Sequence, residues 1–173
     1  MLTLLFTCVF IFKLYPIVTD LLHCTPRYKD VTNRHRYITK NVIKASVLVL
    51  VLLYTSTIRD WSDDRIPVVA GIYVSNDIVG LMYVPNLHLS TKIHHVMSIV
   101  LLVYAFVADF KTSNTAQMLF YYTYFSAATF YVNLYLGLRF CYRLPRVVPK
   151  ICFTGYGTTL VLSLYYQHPL ASI

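Results

Sequence analysis

The sequence predicts an all-α membrane protein, a bundle of about six transmembrane helices with almost no soluble domain. Of its 173 residues, 57% are hydrophobic and only 13% are charged, whereas an ordinary soluble domain carries about 25% charged residues. The mean hydropathy is +0.58. Too few polar side chains remain to cover a soluble surface, and no linker or repeat divides the chain. We therefore expect one transmembrane domain over residues 1–173.

Six apolar stretches approach the length of roughly 17–25 residues that a helix needs to cross a bilayer. The predicted helices cover, in chain order, residues 1–18, 42–57, 67–84, 92–110, 118–138 and 151–166. The first contains Lys13 and lacks both a basic leader and a small-residue cleavage site, which favours a retained anchor over a signal peptide. Lys13 is expected to extend toward the membrane interface, without a functional role.

The net charge of +8 is concentrated in short connections between the predicted helices, which argues against nucleic-acid binding. The first connection has six basic and two acidic residues, a net +4, and the fifth has four basic residues, also +4. The second has two Arg and three Asp (−1), the third has one Lys (+1) and the fourth is neutral. Because cytosolic loops are rich in Lys and Arg, we expect connections one, three and five in the cytosol. Both termini are then expected on the non-cytosolic side. A retained anchor without a cleavage site suggests the endoplasmic reticulum or a related internal membrane.

Ionisable side chains inside the predicted helices are few, and the most informative are Asp77, His94 and His95. A charge at the bilayer centre costs about 2.5–3.5 kcal/mol on insertion scales, so such residues usually have a function. Asn76 and Asn133 are further polar residues of these segments, and Asp77, His94, His95 and Asn133 are predicted at similar depth in the cytosolic half. A carboxylate fixes the tautomer of an imidazole, which then acts as a general base or a nucleophile. Alternatively, these residues only hold helices together, at about 0.6–2 kcal/mol per interhelical polar bond.

No metal site is predicted. Adjacent histidines on one helix point about 100° apart, which makes it difficult for His94 and His95 to bind one ion with His88. The chain contains no Glu and no H-E-x-x-H pattern. Its four cysteines form no C-x-x-C pair, and Cys24 and Cys141, which flank helices beside basic residues, are weak candidates for S-palmitoylation.

Three segments resemble the TLC domain family of multi-pass membrane proteins. In that family a polar residue or Asp in one helix is followed, after a short loop, by a His-His pair that opens the next helix. The matching segments are residues 71–77 (GIYVSND) and 93–102 (IHHVMSIVLL), and residues 128–133 (ATFYVN) are similar to the family's S-T-P-F-V-N segment. The resemblance covers roughly residues 42–165.

This resemblance implies a six-helix core around a lipid-accepting cavity. In the ceramide synthase branch it implies N-acyl transfer from acyl-CoA, with His94 and His95 at the reacting centre and Asp77 as the carboxylate that orients them. The acidic half of the family motif is absent: the His-Asp pair and the further Asp are replaced by Tyr121, Tyr122 and Phe125, and the Glu of smaller members falls near Ser126.

The sequence therefore favours a TLC-type acyltransferase that joins an acyl chain from acyl-CoA to a lipid amine or hydroxyl. The catalytic residues are predicted to be His94, His95 and Asp77. Asn133 is predicted to donate toward the thioester or the developing oxyanion, and substrate binding is further assigned to Asn76, Ser126 and Lys92. Membrane lipids are the expected partners, with no permanently bound cofactor. Two alternatives are a non-catalytic lipid-binding, lipid-sensing or cargo protein, and a small channel or transporter.

Overall fold

The computed structural model describes residues 2–25, 27–57, 65–107 and 114–171, and every regular element in these ranges is helical. The helices are α1 (Leu2–His23), α2 (His35–Thr57), α3 (Arg65–Tyr83), α4 (Leu89–Ala105), α5 (Asn114–Ala128), α6 (Phe130–Leu138) and α7 (Val147–Ala171). A short 3-10 segment, Lys29–Arg34, precedes α2. Helices α1, α2, α3 and α7 are long and apolar enough to cross a membrane. The predicted all-α class is thus confirmed for the described residues.

Helices α5 and α6 adjoin at Thr129, so the seven helices of the described ranges form six rods. The Thr129 backbone N–H donates to the Ser126 carbonyl at 3.1 Å, and its hydroxyl donates to the same oxygen at 2.7 Å. These i−3 bonds replace the regular i−4 bond, as Ser and Thr side chains within helices often do. The prediction of one unbroken helix over residues 118–138 was therefore wrong at this residue.

The largest difference from the predicted bounds is at the start of α2, which begins at His35 and not near residue 42. Lys40 and Lys44, which were counted as charges of the first connection, lie inside the helix and are buried. Helix α1 continues through Pro16 to His23, beyond its predicted end. Helix α7 is 25 residues long, so the last span is longer than predicted.

Helices α2 and α3 form the centre of the bundle, and α1 and α7 lie at its periphery. Helix α2 packs against α1, α3, α5 and α6, while α3 also contacts α4. The main core is built on these two helices, with Leu48 and Val74 among its buried members. By contrast, α1 and α7 expose most of their apolar side chains, for example Phe6 and Phe153.

The α1–α2, α3–α4 and α6–α7 connections meet at one end of the bundle. The guanidinium carbons of Arg34 and Arg139 lie 4.7 and 4.8 Å from the ring centroid of Phe140. Arg36 lies 5.2 Å from the ring centroid of Tyr83, the last residue of α3. The three connections predicted to share one side of the membrane therefore share one end of the molecule.

Candidate functional site

The carboxylate of Asp77 is the centre of a buried polar cluster between α2, α3 and α4. Its Oδ1 accepts a hydrogen bond from the Lys44 ammonium at 2.8 Å. Nδ1 of His95 lies 3.1 Å from the same oxygen, within ion-pair distance although outside hydrogen-bond geometry. All three side chains are almost completely excluded from the surface. One carboxylate oxygen thus joins a cation of α2 and an imidazole of α4 to α3.

Lys44 is the best satisfied member of this cluster. Besides its bond to Asp77, it donates to the backbone carbonyl of Tyr73 at 3.2 Å, and its ammonium lies 4.2 Å from the ring centroid of the same tyrosine. The position of this ammonium over the aromatic face adds a cation–π contribution. Lys44 therefore ties α2 to α3 through one charged, one polar and one aromatic contact.

Several polar atoms of the cluster have no hydrogen-bond partner among the described residues. They are Oδ2 of Asp77, both ring nitrogens of His95 and both side-chain amide atoms of Asn76. Buried polar groups in folded proteins are almost always paired with protein, water or a ligand. The cluster therefore has unused hydrogen-bonding capacity.

A cavity of about 280 Å³ adjoins the cluster, and Lys40, Lys44, His94 and His95 contribute to its wall. Typical ligand pockets have volumes of about 300–1,000 Å³, so this cavity is slightly smaller than that range. Its wall comes from α2, α3, α4, α5, α6 and α7. Lys40 is the sixth residue of α2 and His94 the sixth of α4, so the cavity lies toward the end where the three connections meet.

The predicted site residues are only partly brought together. Asn133 and Ser126 line the cavity with the two histidines, and Tyr73 and Tyr122 belong to the same wall. Asn76 is buried next to Asp77 in the sequence but does not line the cavity. Lys92 is exposed on α4 and does not contribute to the cavity wall.

Asp77, His94 and His95 are close enough to one another to be considered as ligands of a metal ion. The ligand atoms of Asp77, His94 and His95 all lie within 4.8 Å of one another, closer than the angular argument from adjacent histidines indicated. His88 is exposed and bonded to Ser90 at 2.9 Å. However, the Lys44 ammonium is bonded to the only carboxylate of the set and competes with a cation for it. The residues at this cluster are therefore poorly suited to a divalent ion.

Sequence reasoning missed the two lysines of the site. Both lie at the polar start of α2, where charged residues resemble those of a loop. The spacing of four residues between Lys40 and Lys44 could have indicated that both lie on one face of a helix, because residues i and i+4 share a face. Tyr73, Tyr122 and Tyr156 of the cavity wall were missed as well, since sixteen tyrosines offer no way to distinguish interior from interfacial ones.

No family model, no curated protein sequence and no solved structure matches this chain. The resemblance to the TLC domain family thus stays a prediction that depends on the sequence motifs.

Proposed function

We propose that this chain is a TLC-type integral membrane protein that transfers an acyl group from acyl-CoA to a lipid amine or hydroxyl in its intramembrane cavity. The observation that supports this most directly is the position of His95. Its imidazole borders the cavity, Nδ1 lies 3.1 Å from a buried carboxylate, and Nε2 has no partner among the described residues. A carboxylate on one side and a free nitrogen on the other is the arrangement of a general base.

The reaction that fits this arrangement is a displacement at a thioester. Nε2 of His95 accepts the proton of the acceptor hydroxyl or amine while the acceptor oxygen or nitrogen attacks the thioester carbonyl carbon. The carbon–sulfur bond breaks, and the CoA thiolate leaves and receives the proton from the imidazolium. Asp77 stabilises the transient imidazolium through Nδ1. Asn133, on the same cavity wall, is the proposed donor to the oxyanion.

A second function, lipid binding without catalysis, is favoured by Lys44. Its ammonium bonds directly to the oxygen nearest His95, so the negative charge of Asp77 is already neutralised. In this alternative the cluster stabilises the contacts between α2, α3 and α4, and the cavity holds a lipid for sensing, transport or presentation. The same residues then contribute to stability and leave the chemistry of the ligand unchanged.

The two functions differ in whether CoA is released. The full-length protein, purified in an uncharged detergent, is incubated with a long-chain acyl-CoA and a long-chain amine or alcohol. Free CoA and acylated product are quantified by mass spectrometry, and native mass spectrometry detects any acyl adduct. Acyl transfer predicts product in the wild type and a loss of about 100-fold or more in His95→Gln, since general-base catalysis contributes typically 10²–10⁴-fold.

His88→Gln is the matched control, because the His88 side chain is exposed and its ring bonds to the Ser90 hydroxyl at 2.9 Å. It should retain full activity, and His94→Gln tests the second imidazole of the pair. If the wild type binds the acyl-CoA or acceptor intact and releases no CoA under any condition, the transferase proposal fails and lipid binding is retained.

A further inference from the structure

Lys40 is a buried cation for which the described residues provide no counter-ion. It lies on α2 one turn before Lys44, its relative exposure is 4%, and it lines the cavity. The lysine ion pair found among the described residues is that of Lys44 with Asp77, and no described carboxylate lies within 4.0 Å of Lys40. A buried charge without a partner is costly, so an anion in the cavity would stabilise Lys40 in its charged form.

The stem of Lys40 packs against Gly80 of α3. A Cβ on Gly80 of α3 would lie 3.1 Å from Cε and 3.4 Å from Cγ of Lys40, so the absence of a side chain at Gly80 leaves the space that the stem fills. Lysines near helix ends often extend to the interface along their stems. Lys40 instead packs across α3 and stays inside the bundle.

The charges around the cavity leave a positive excess. Lys40 and Lys44 face one carboxylate, Asp77, and the remaining titratable groups of the wall are histidines and tyrosines. Among the other aspartates, Asp20 and Asp30 are exposed near the first connection, and the rest lie outside the described residues. His94 and Asn133 on the same wall provide hydrogen-bond donors, which an oxyanion uses together with an ammonium.

We propose that the cavity binds an oxyanion, a phosphate or a carboxylate carried on a membrane lipid, with Lys40 as its counter-ion. The inference rests on the proposed lipid-binding role of the cavity and does not require acyl transfer. The proposed lipid ligand is therefore negatively charged. Lipid-borne and free anions share this chemistry, and the experiment distinguishes them.

The test compares three probes with the same sixteen-carbon chain: hexadecyl phosphate, palmitate and hexadecanol. Their dissociation constants are measured by native mass spectrometry on the full-length protein in an uncharged detergent, with no acyl-CoA present. The wild type should bind at least one of the two anions about tenfold or more tightly than hexadecanol, because hydrogen bonds between an ammonium and an anion are stronger than those to a neutral hydroxyl.

Lys40→Met should abolish this preference while retaining an unbranched stem over Gly80. Lys40→Arg, which keeps the charge, should preserve it at least in part. Lys150→Met is the matched control, because it removes the same charge from an exposed position at the start of α7, and it should behave as the wild type. Circular dichroism and size-exclusion profiles establish that each variant is folded.

A wild type that binds hexadecanol as tightly as both anions would overturn the inference, and so would a preference that survives in Lys40→Met. Inorganic phosphate at millimolar concentration should not displace hexadecyl phosphate. If it does, the site binds free phosphate, and the proposal that the anion is carried on a lipid is overturned. A wild type that releases CoA from acyl-CoA yet shows no anion preference would contradict this inference alone, without affecting the proposed transferase.

Discussion

At the scale of single residues, the carboxylate of Asp77 is the acidic partner of a buried ion pair. Its Oδ1 is bonded to the Lys44 ammonium, and both groups are almost fully excluded from solvent. Removal of one partner of a buried ion pair typically costs about 3–5 kcal/mol, because the remaining charge is left uncompensated. Replacement of both partners by apolar residues is often neutral or stabilising.

This asymmetry gives a prediction for the pair. Asp77→Asn should lower the free energy of unfolding in detergent by about 3–5 kcal/mol, because Lys44 keeps its charge without a counter-ion. The double variant Lys44→Met, Asp77→Leu should lose much less than the sum of the single variants. Lys150→Met controls for the loss of an exposed charge. If Asp77→Asn loses no more than that control, the buried ion pair has no structural role.

Part of this cluster was recognisable in the sequence. Asp77 and the two histidines were found because ionisable residues are rare within apolar segments. Lys44 was missed because it was counted with the charges of the first connection although it lies two residues inside the predicted span 42–57, and α2 itself begins at His35. The ion pair across two helices depends on tertiary packing, which no local pattern encodes.

At the scale of the elements, helices α2 and α6 pack closely against each other at Gly137. A Cβ at Gly137 would lie 3.3 Å from the backbone oxygen of Ile38 and 3.3 Å from Cγ2 of Val42. A larger residue therefore separates the two helices or distorts one of them. Gly157 on α7 differs, since nothing lies within 4 Å of a Cβ built there.

These two glycines provide a matched pair of substitutions. Gly137→Leu should lower the free energy of unfolding by about 1–3 kcal/mol, the usual cost of overpacking a contact. Gly157→Leu should be neutral or stabilising by up to about 1 kcal/mol, because leucine is a better helix former than glycine. Thermal or denaturant unfolding followed by circular dichroism measures both. Equal effects of the two substitutions would contradict the close packing of α2 against α6.

The existence of every helix was predictable, and the details of their ends were not. Apolar length alone identifies six rods, and these agree with the described structure. The break at Thr129 has no Gly or Pro to indicate it, and the Thr129 hydroxyl donates there to the Ser126 carbonyl. A threonine hydroxyl bonds to a backbone carbonyl in some helices and not in others. Whether the bond forms at a given threonine depends on the neighbouring helices.

At the scale of the whole molecule, the three connections that meet at one end form a compact cap. Cys141 of the α6–α7 connection is buried there with Tyr28 and Ile38, and burial raises the pKa of its thiol. Cys24, at the end of α1, is exposed. The two cysteines that the sequence presented as equivalent acylation candidates are therefore in different environments.

This difference predicts selective labelling. In the folded protein, a water-soluble maleimide near neutral pH should modify Cys24 rapidly and Cys141 slowly, because the reagent needs both access and thiolate. Peptide mapping by mass spectrometry locates the adduct, and Cys24→Ser should remove most of the early label. Similar rates at the two cysteines would mean that the cap opens in solution.

The orientation of the bundle decides which of the proposed activities is available to it. Six rods place both termini at the end opposite the cap, and the positive-inside rule predicts a cytosolic cap. The chain has no N-x-[ST] acceptor of its own, so any N-glycosylation that is observed must occur at the added acceptor. In membranes of the endoplasmic reticulum, we expect glycosylation of acceptors appended at either terminus and none of an acceptor inserted in the α6–α7 connection.

The opposite glycosylation pattern would place the cap and the nearby cavity on the lumenal side. Acyl-CoA is a charged, membrane-impermeant donor from the cytosol, so an inverted bundle would lose access to it and the proposed acyl transfer would fail. The proposed oxyanion site would be unaffected, because a lipid reaches an intramembrane cavity from within the bilayer. The orientation experiment therefore separates the donor chemistry, which requires a cytosolic opening, from the lipid recognition by Lys40, which does not.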